Sequence, residues 1–184
     1  MSVELVQGSK RLLAVTQAVD PEYLDKINSV DWLRRAYEMD EHSRVSSAFR
    51  RRILMPCDLQ DAVDREIQRL LPIICAVSGQ SYEWIASSWQ ICEPNWVCPM
   101  HTDGHKPNVM IIYWQTPGPE FGTTFYNSSD PTDVWHEFAG IPNTGFFANY
   151  EPNPGESWPE LWHASLQSVP AGSYRLLTRY EFQR

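Results

Sequence analysis

The chain has 184 residues, a formal net charge of −8 and 42% hydrophobic residues. This length and composition predict one globular domain over residues 1–184, with enough apolar residues for a substantial core. An acidic chain gains nothing from neutralising phosphates, so nucleic acid is disfavoured as a partner, and no apolar stretch is long enough to span a membrane.

The polar start of the chain and its cysteines predict a cytoplasmic location. Met1–Glu4 does not have the pattern of a signal peptide. The four cysteines are spaced unlike any zinc motif, and in a reducing compartment they are expected to be thiols. A pair between Cys92 and Cys98 stays open as the less favoured alternative.

The N-terminal part, residues 1–80, is predicted to be mainly helical, with a strand or two at its start. An acidic cap and an early proline predict a short helix over Glu22–Ser29, and helical spacing of apolar residues predicts a second over Trp32–Glu38. The strongest helical pattern covers residues 59–77, where Pro72 is expected to bend or end the helix.

An arginine cluster and two histidines are predicted to have structural and not functional roles. The cluster Arg50–Arg52 can contact an acidic substrate or partner, but a solvated edge paired with nearby acids is the favoured interpretation. His42 and His136 are interpreted as surface or structural residues.

From Tyr82 onwards the pattern changes to short strands separated by proline- and glycine-rich turns. Together they indicate a β-sandwich or barrel over residues 82–183 and an α+β fold for the whole chain. The predicted strands are Ser81–Ile91, Trp96–His101, Val109–Trp114, Phe121–Tyr126, Val134–Phe138, Phe146–Tyr150, Leu161–Ala164 and Ser173–Phe182.

Two separated motifs supply candidate metal ligands. His101 and Asp103 form a His-x-Asp motif, and His163 follows about sixty residues later. Residues i and i+2 of a strand point the same way, so the first two side chains can reach one ion. Two histidines and a carboxylate on one face of a metal form the facial triad of non-haem Fe(II) oxygenases. An ordinary hydrogen-bonded pair in a turn, and a role for His105, remain alternatives.

The order His-x-Asp, a β-rich interval, His163 and then Arg175 resembles the 2-oxoglutarate/Fe(II)-dependent oxygenase superfamily, in its prolyl-hydroxylase-like branch. The resemblance covers residues 82–183 and implies a double-stranded β-helix (jelly roll) with the N-terminal helices packed on one sheet. Further segments that match the family are Ile112–Gln115, Phe121–Tyr126, Leu161–Ala164 and Pro170–Arg175.

The resemblance implies that His101, Asp103 and His163 hold Fe(II) and that Arg175 binds the distal carboxylate of 2-oxoglutarate. A buried guanidinium suits a dicarboxylate. Arg175 lies twelve residues past the second histidine, where the family often has nine to eleven, so Tyr174 and Arg179 remain register alternatives. The implied reaction uses dioxygen to hydroxylate a peptide, amino acid or small molecule and releases succinate.

Two further residues are predicted near the cofactor. The family resemblance implies that Tyr113 assists in binding 2-oxoglutarate, although a core aromatic is an equal interpretation. Asn149, a polar residue in an apolar strand, is predicted to face the pocket. The alternatives for the whole chain are a cupin-like metal-binding jelly roll that does not use 2-oxoglutarate, and a non-catalytic binding domain.

Overall fold

The computed structural model describes residues 1–38, 45–46, 51–54, 57–104 and 107–184. These residues form four α-helices, α1 (Pro21–Asn28), α2 (Trp32–Glu38), α3 (Asp58–Gln68) and α4 (Leu71–Ser78). The strands are β1 (Ser2–Leu5), β2 (Leu12–Thr16), β3 (Val45–Ser46), β4 (Arg51–Ile53), β5 (Glu83–Cys92), β6 (Cys98–His101), β7 (Asn108–Gln115), β8 (Thr123–Tyr126), β9 (Val134–Phe138), β10 (Thr144–Ala148), β11 (Trp162–Ser165) and β12 (Arg175–Gln183).

The strands of the described ranges form two antiparallel sheets. The larger sheet has eight strands in the order β1-β2-β10-β7-β12-β5-β4-β3, and the smaller has four in the order β6-β11-β8-β9. Strands from the N-terminal part pair directly with later ones, β2 with β10 and β4 with β5. The larger sheet therefore draws on both the N-terminal part and the β-rich part of the chain.

The larger sheet separates two apolar cores because side chains alternate along its strands. On β7, Met110, Ile112 and Trp114 pack in the core that contains helical residues such as Ile67. Val109 and Tyr113 pack in the second core, which includes aromatic residues of the smaller sheet. The helices thus cover one face of the larger sheet, and the smaller sheet lies on the other face.

The helices follow the sequence pattern closely, with one correction. α2 has the predicted bounds, and the Asp31 carboxylate accepts the backbone N–H of Arg34 at 2.9 Å as its cap. The single helix predicted over residues 59–77 is two helices, with Pro72 in the first turn of α4. Proline has no N–H to donate, so it begins a new helix at a position where no intrahelical bond is needed.

Some residues named in the sequence predictions fall outside the described ranges, and others bear on disulfides and on membrane spans. His42, Arg50 and His105 lie outside the described residues, as do the side chains of Arg51 and Arg52. All four cysteines lie within the described ranges, and none of them forms a disulfide. None of the described helices has the length and apolar content needed to cross a membrane.

A half-buried carboxylate attaches α3 to the larger sheet. Asp64 accepts hydrogen bonds from Ser87 Oγ at 2.5 Å and Trp89 Nε1 at 3.1 Å on β5, and from Tyr180 Oη at 3.0 Å on β12. Burial raises the pKa of Asp64 above its usual value of 3.8, and the three hydrogen bonds oppose this shift. The folded state therefore favours the protonated acid relative to the unfolded state.

We expect Asp64→Asn to change how stability depends on pH. An acid with a raised folded-state pKa stabilises the fold while protonated, and that contribution is lost as pH rises above 3.8 through the folded-state pKa. The free energy of unfolding of the wild type, relative to Asp64→Asn, should therefore fall between pH 3.8 and neutrality. Urea unfolding across this range measures the difference. Asp25→Asn, at an exposed position on α1, is the control. A wild-type advantage over Asp64→Asn that grows with pH would contradict the role given to Asp64.

Candidate metal centre and its cavity

Pairing of β6 with β11 brings the two separated motifs together. His163 lies directly opposite His101 in the antiparallel register, and their ring centroids are 4.3 Å apart. Asp103 lies two residues past the end of β6 and not on the strand, so strand alternation does not place it as predicted. Gly104 follows with φ of +59°, a left-handed conformation suited to glycine, and turns the chain there.

The three side chains form a compact ligand set. Asp103 Oδ1 lies 3.9 Å from His101 Nε2, and Asp103 Oδ2 lies 3.7 Å from His163 Nε2. All three ligand atoms lie within 4.8 Å of one another. A metal about 2.1 Å from each of two ligand atoms spans separations up to about 4.2 Å, so both carboxylate–imidazole distances suit a shared ion.

Backbone carbonyls fix the state of both imidazoles. His101 Nδ1 lies 2.8 Å from the Pro99 carbonyl oxygen, and His163 Nδ1 lies 2.9 Å from that of Leu161. A carbonyl oxygen only accepts, so each Nδ1 carries a proton, and in the neutral ring that a metal binds each Nε2 presents its lone pair to the shared point. Orientation of metal-binding histidines by such bonds is the usual arrangement.

The ligand set opens into a cavity of about 360 Å³ between the two sheets. β12 contributes Arg175, Leu177 and Arg179 to its lining, in agreement with the prediction that alternate residues of this strand share a face. Most of the remaining wall is apolar or aromatic, and it includes Trp96, Val109, Ile111, Phe146 and Tyr150.

Arg175 is buried, with 4% of its surface exposed, and its guanidinium is held in place by the protein. Nη1 donates to the carbonyl oxygens of Phe121 at 2.9 Å and Gly122 at 3.2 Å, and to Ser165 Oγ at 3.1 Å. The guanidinium carbon lies 4.5 Å from the centre of the Trp96 ring. These contacts orient the fork toward the cavity and leave the buried Nε without a partner.

The other two predicted cofactor residues do not line this cavity. Tyr113 is fully buried with its ring centre 5.4 Å from the guanidinium carbon of Arg175, and its hydroxyl donates to Thr123 Oγ1, on a residue of the lining, at 2.7 Å. Its predicted assistance to 2-oxoglutarate stays a prediction. Asn149 lines a second cavity of about 290 Å³, and its Oδ1 accepts the backbone N–H of Glu151 at 3.1 Å. The predicted pocket-facing position of Asn149 is wrong because its side chain caps local backbone instead.

Sequence reasoning missed Tyr150, which lies beside the metal ligands. Its ring centroid is 6.2 Å from that of His163, and burial together with the hydrogen-bonded carboxylate of Asp103 raises its pKa well above the usual value. The predicted strand Phe146–Tyr150 held a partial signal, because alternation puts Tyr150 on the face of Phe146 and Asn149 on the other. The observed strand β10 ends at Ala148, so alternation by itself does not place Tyr150.

Comparison with known proteins gives matches in structure alone. No family model and no curated protein matches the sequence. A viral collagen prolyl hydroxylase from Paramecium Bursaria Chlorella virus-1, solved with 2-oxoglutarate, has 13% identity and a TM-score of 0.65 over 95% of this chain and 96% of its own. A Pseudomonas putida prolyl-4-hydroxylase has 12% identity and a TM-score of 0.60 over 94% and 92% of the two chains.

A third match extends the range of reactions. The epimerase SnoN, solved with Fe³⁺, α-ketoglutarate and nogalamycin RO, has 12% identity and a TM-score of 0.60 over 94% of this chain and 78% of its own. At these identities the likeness shows the fold alone. The predicted resemblance to 2-oxoglutarate/Fe(II) oxygenases is confirmed at that level. The viral enzyme was solved with 2-oxoglutarate, and SnoN with Fe³⁺ and α-ketoglutarate.

Replacing His101, Asp103 or His163 by alanine is expected to weaken divalent-metal binding by more than about a hundredfold. Loss of a residue that only supports a ligand typically costs 10- to 100-fold, so loss of a ligand itself costs more. Anaerobic calorimetric titration with Fe(II) or Co(II) measures the affinity. His136→Ala is the matched control, because His136 lies on β9 outside the cavity lining. Normal affinity in all three ligand variants would end the assignment.

Proposed function

We propose that this chain is a non-haem Fe(II)- and 2-oxoglutarate-dependent dioxygenase. It hydroxylates an unactivated C–H bond of a small molecule, amino acid or peptide while 2-oxoglutarate is decarboxylated to succinate. One observation carries the proposal. A buried guanidinium with an unpartnered N–H shares a cavity with two imidazoles and a carboxylate that converge on one point.

The donor set suits Fe(II). Two neutral imidazoles and one carboxylate occupy three positions of a ferrous ion and leave three for exchangeable ligands. Fe(II) held there with 2-oxoglutarate would activate dioxygen and so supply the oxidant for the substrate C–H bond. The chain's own contribution is to present His101 and His163 through Nε2 and to hold Asp103 between them.

The anchor for 2-oxoglutarate is proposed to be Arg175, assisted by Trp96. Two buried donors, Arg175 Nε and Trp96 Nε1, have no partner within the described structure. Leaving a buried donor unpaired costs free energy, and a bound carboxylate would remove that cost with charge-assisted bonds. The Trp96 ring packs on the guanidinium at 4.5 Å and so limits its movement within the cavity.

The same residues argue against a cupin-like or purely structural role. A metal site that does not use a dicarboxylate gains nothing from a buried, permanently charged fork, whose burial is costly when it is not paired. Ser165 and the carbonyl groups of Phe121 and Gly122 satisfy only one of its nitrogens. Apolar walls such as Ile111, Phe146 and Leu177 limit the water that can enter beside the reacting groups.

The remaining features agree with this function. We propose that the two sheets form the double-stranded β-helix of the prolyl-hydroxylase-like enzymes, as one domain over residues 1–184. Hydroxylation is preferred to halogenation because Asp103 occupies the carboxylate position, which related halogenases leave open to halide. We also propose a cytoplasmic location, where the four cysteines would stay reduced.

Arg175→Ala should weaken 2-oxoglutarate binding by about 10- to 100-fold while leaving Fe(II) affinity close to that of the wild type. The expected loss corresponds to one or two hydrogen bonds to a charged group. Anaerobic titration of the Fe(II)-loaded protein with 2-oxoglutarate, followed by the visible charge-transfer band, gives the dissociation constant. Trp96→Phe should weaken binding less, because it removes one neutral donor and keeps the stacked ring.

The Arg179→Ala variant serves as the comparison in the same titration. Its affinity for 2-oxoglutarate should stay near that of the wild type if Arg175 is the anchor. A large loss in Arg179→Ala with little change in Arg175→Ala would transfer the anchor to Arg179. Absence of any charge-transfer band in the wild type would contradict the proposed function.

A further inference from the structure

The metal cavity is lined by buried donors that lack a partner within the described structure. Among the described residues, three side chains that line it have a buried nitrogen without a hydrogen-bond partner: Arg175, Trp96 and Arg179. All three are donors and none is an acceptor. The cavity is therefore built to receive acceptor oxygens from its ligands.

These donors fall into two separate groups. Arg175 and Trp96 are stacked at 4.5 Å and form one group. Arg179 is four residues further along β12 on the same face, which at about 3.3 Å per residue separates the two arginine Cα atoms by about 13 Å. This separation along the strand allows the two groups to serve different ligands.

The Arg179 guanidinium is partly engaged and partly available. Its Nη1 donates to Glu181 Oε1 at 2.8 Å, and 23% of its side chain is exposed. Its Nη2 is buried and has no partner. The pairing with Glu181 holds the fork in place and leaves one edge directed to other acceptors.

Arg179 also belongs to the metal side of the cavity. Its register partner on β7 is Ile111, whose partner on β10 is Phe146, and all three residues line the cavity. Phe146 packs on Phe125 with ring centroids 5.2 Å apart, and the Phe125 ring lies 5.4 Å from that of the candidate metal ligand His163.

We propose that Arg179 binds a carboxylate of the primary substrate, beside the metal and at a distance from the 2-oxoglutarate anchor. This inference rests on the proposed function and gives its substrate a chemical class. A volume of about 360 Å³ is at the lower end for ligand sites, and 2-oxoglutarate occupies part of it. The enclosed part of the substrate is therefore small, either a compact carboxylic acid or an acidic side chain of a peptide.

The test uses a matched pair of small probes on the full chain loaded with Zn(II) and 2-oxoglutarate, which cannot turn over. Isobutyrate and isobutyramide have nearly the same shape and differ in charge. Ligand-observed NMR should show isobutyrate binding about tenfold or more tightly than isobutyramide, with 2-oxoglutarate still bound. A doubly capped Gly-Asp-Gly peptide, measured in the same way, distinguishes an acidic side chain from a free acid.

Two variants with opposite expected effects separate binding from folding defects. Arg179→Gln should abolish the preference for isobutyrate, whereas Glu181→Gln should strengthen isobutyrate binding severalfold by releasing Nη1. Arg69→Gln is the matched control, because Arg69 also pairs with a glutamate, at 2.7 Å, but is largely exposed on the surface.

Three results would overturn the inference. They are equal binding of the two probes to the wild type, a preference that survives Arg179→Gln, and displacement of 2-oxoglutarate by isobutyrate, which would place the probe on Arg175. Failure of 2-oxoglutarate itself to bind would instead refute the proposed function. The two failures are thus distinguished in the same sample.

Discussion

The pairing of β6 with β11 is the constraint on which the site depends. It sets His101 opposite His163, although the two residues are about sixty positions apart in the sequence. In an antiparallel ladder, a register shift of one residue turns a side chain to the other face of the sheet. The ligand set therefore exists only in this register, which the continuing pair of β11 with β8 also supports. Asp103 then needs only a short turn to reach the same point.

The larger sheet performs two tasks on its two faces. One face packs against the helices, where Asp64 joins α3 to β5 and β12 through three hydrogen bonds. The other face supplies the floor of the cavity, including both arginines of β12. A rigid, doubly paired strand keeps these charged groups in place where they are buried, and unpaired buried charge is otherwise expensive. β12 therefore contributes both to the packing of α3 and to the proposed binding of ligands.

Much of this arrangement could be predicted from the sequence because local patterns determine it. Alternation located most strands to within a few residues, and it placed Arg175 and Arg179 on one face. Other features depend on tertiary contacts that leave no local trace. Asp103 leaves the strand where the backbone turns at Gly104, and Asn149 binds Glu151 instead of facing the cavity. Trp96 contacts Arg175, which lies nearly eighty residues further along the chain, and no spacing rule predicts this contact.

The central claim is that three side chains hold one metal while Arg175 grips a dicarboxylate beside it. Diffraction from crystals grown with Mn(II) and 2-oxoglutarate, with data collected for the anomalous signal of manganese, tests it most directly. The account predicts one anomalous peak at about 2.0–2.2 Å from His101 Nε2, His163 Nε2 and a carboxylate oxygen of Asp103, with the distal carboxylate of 2-oxoglutarate on Arg175. A metal bound elsewhere, or a carboxylate on Arg179 with Arg175 left unpaired, would contradict it.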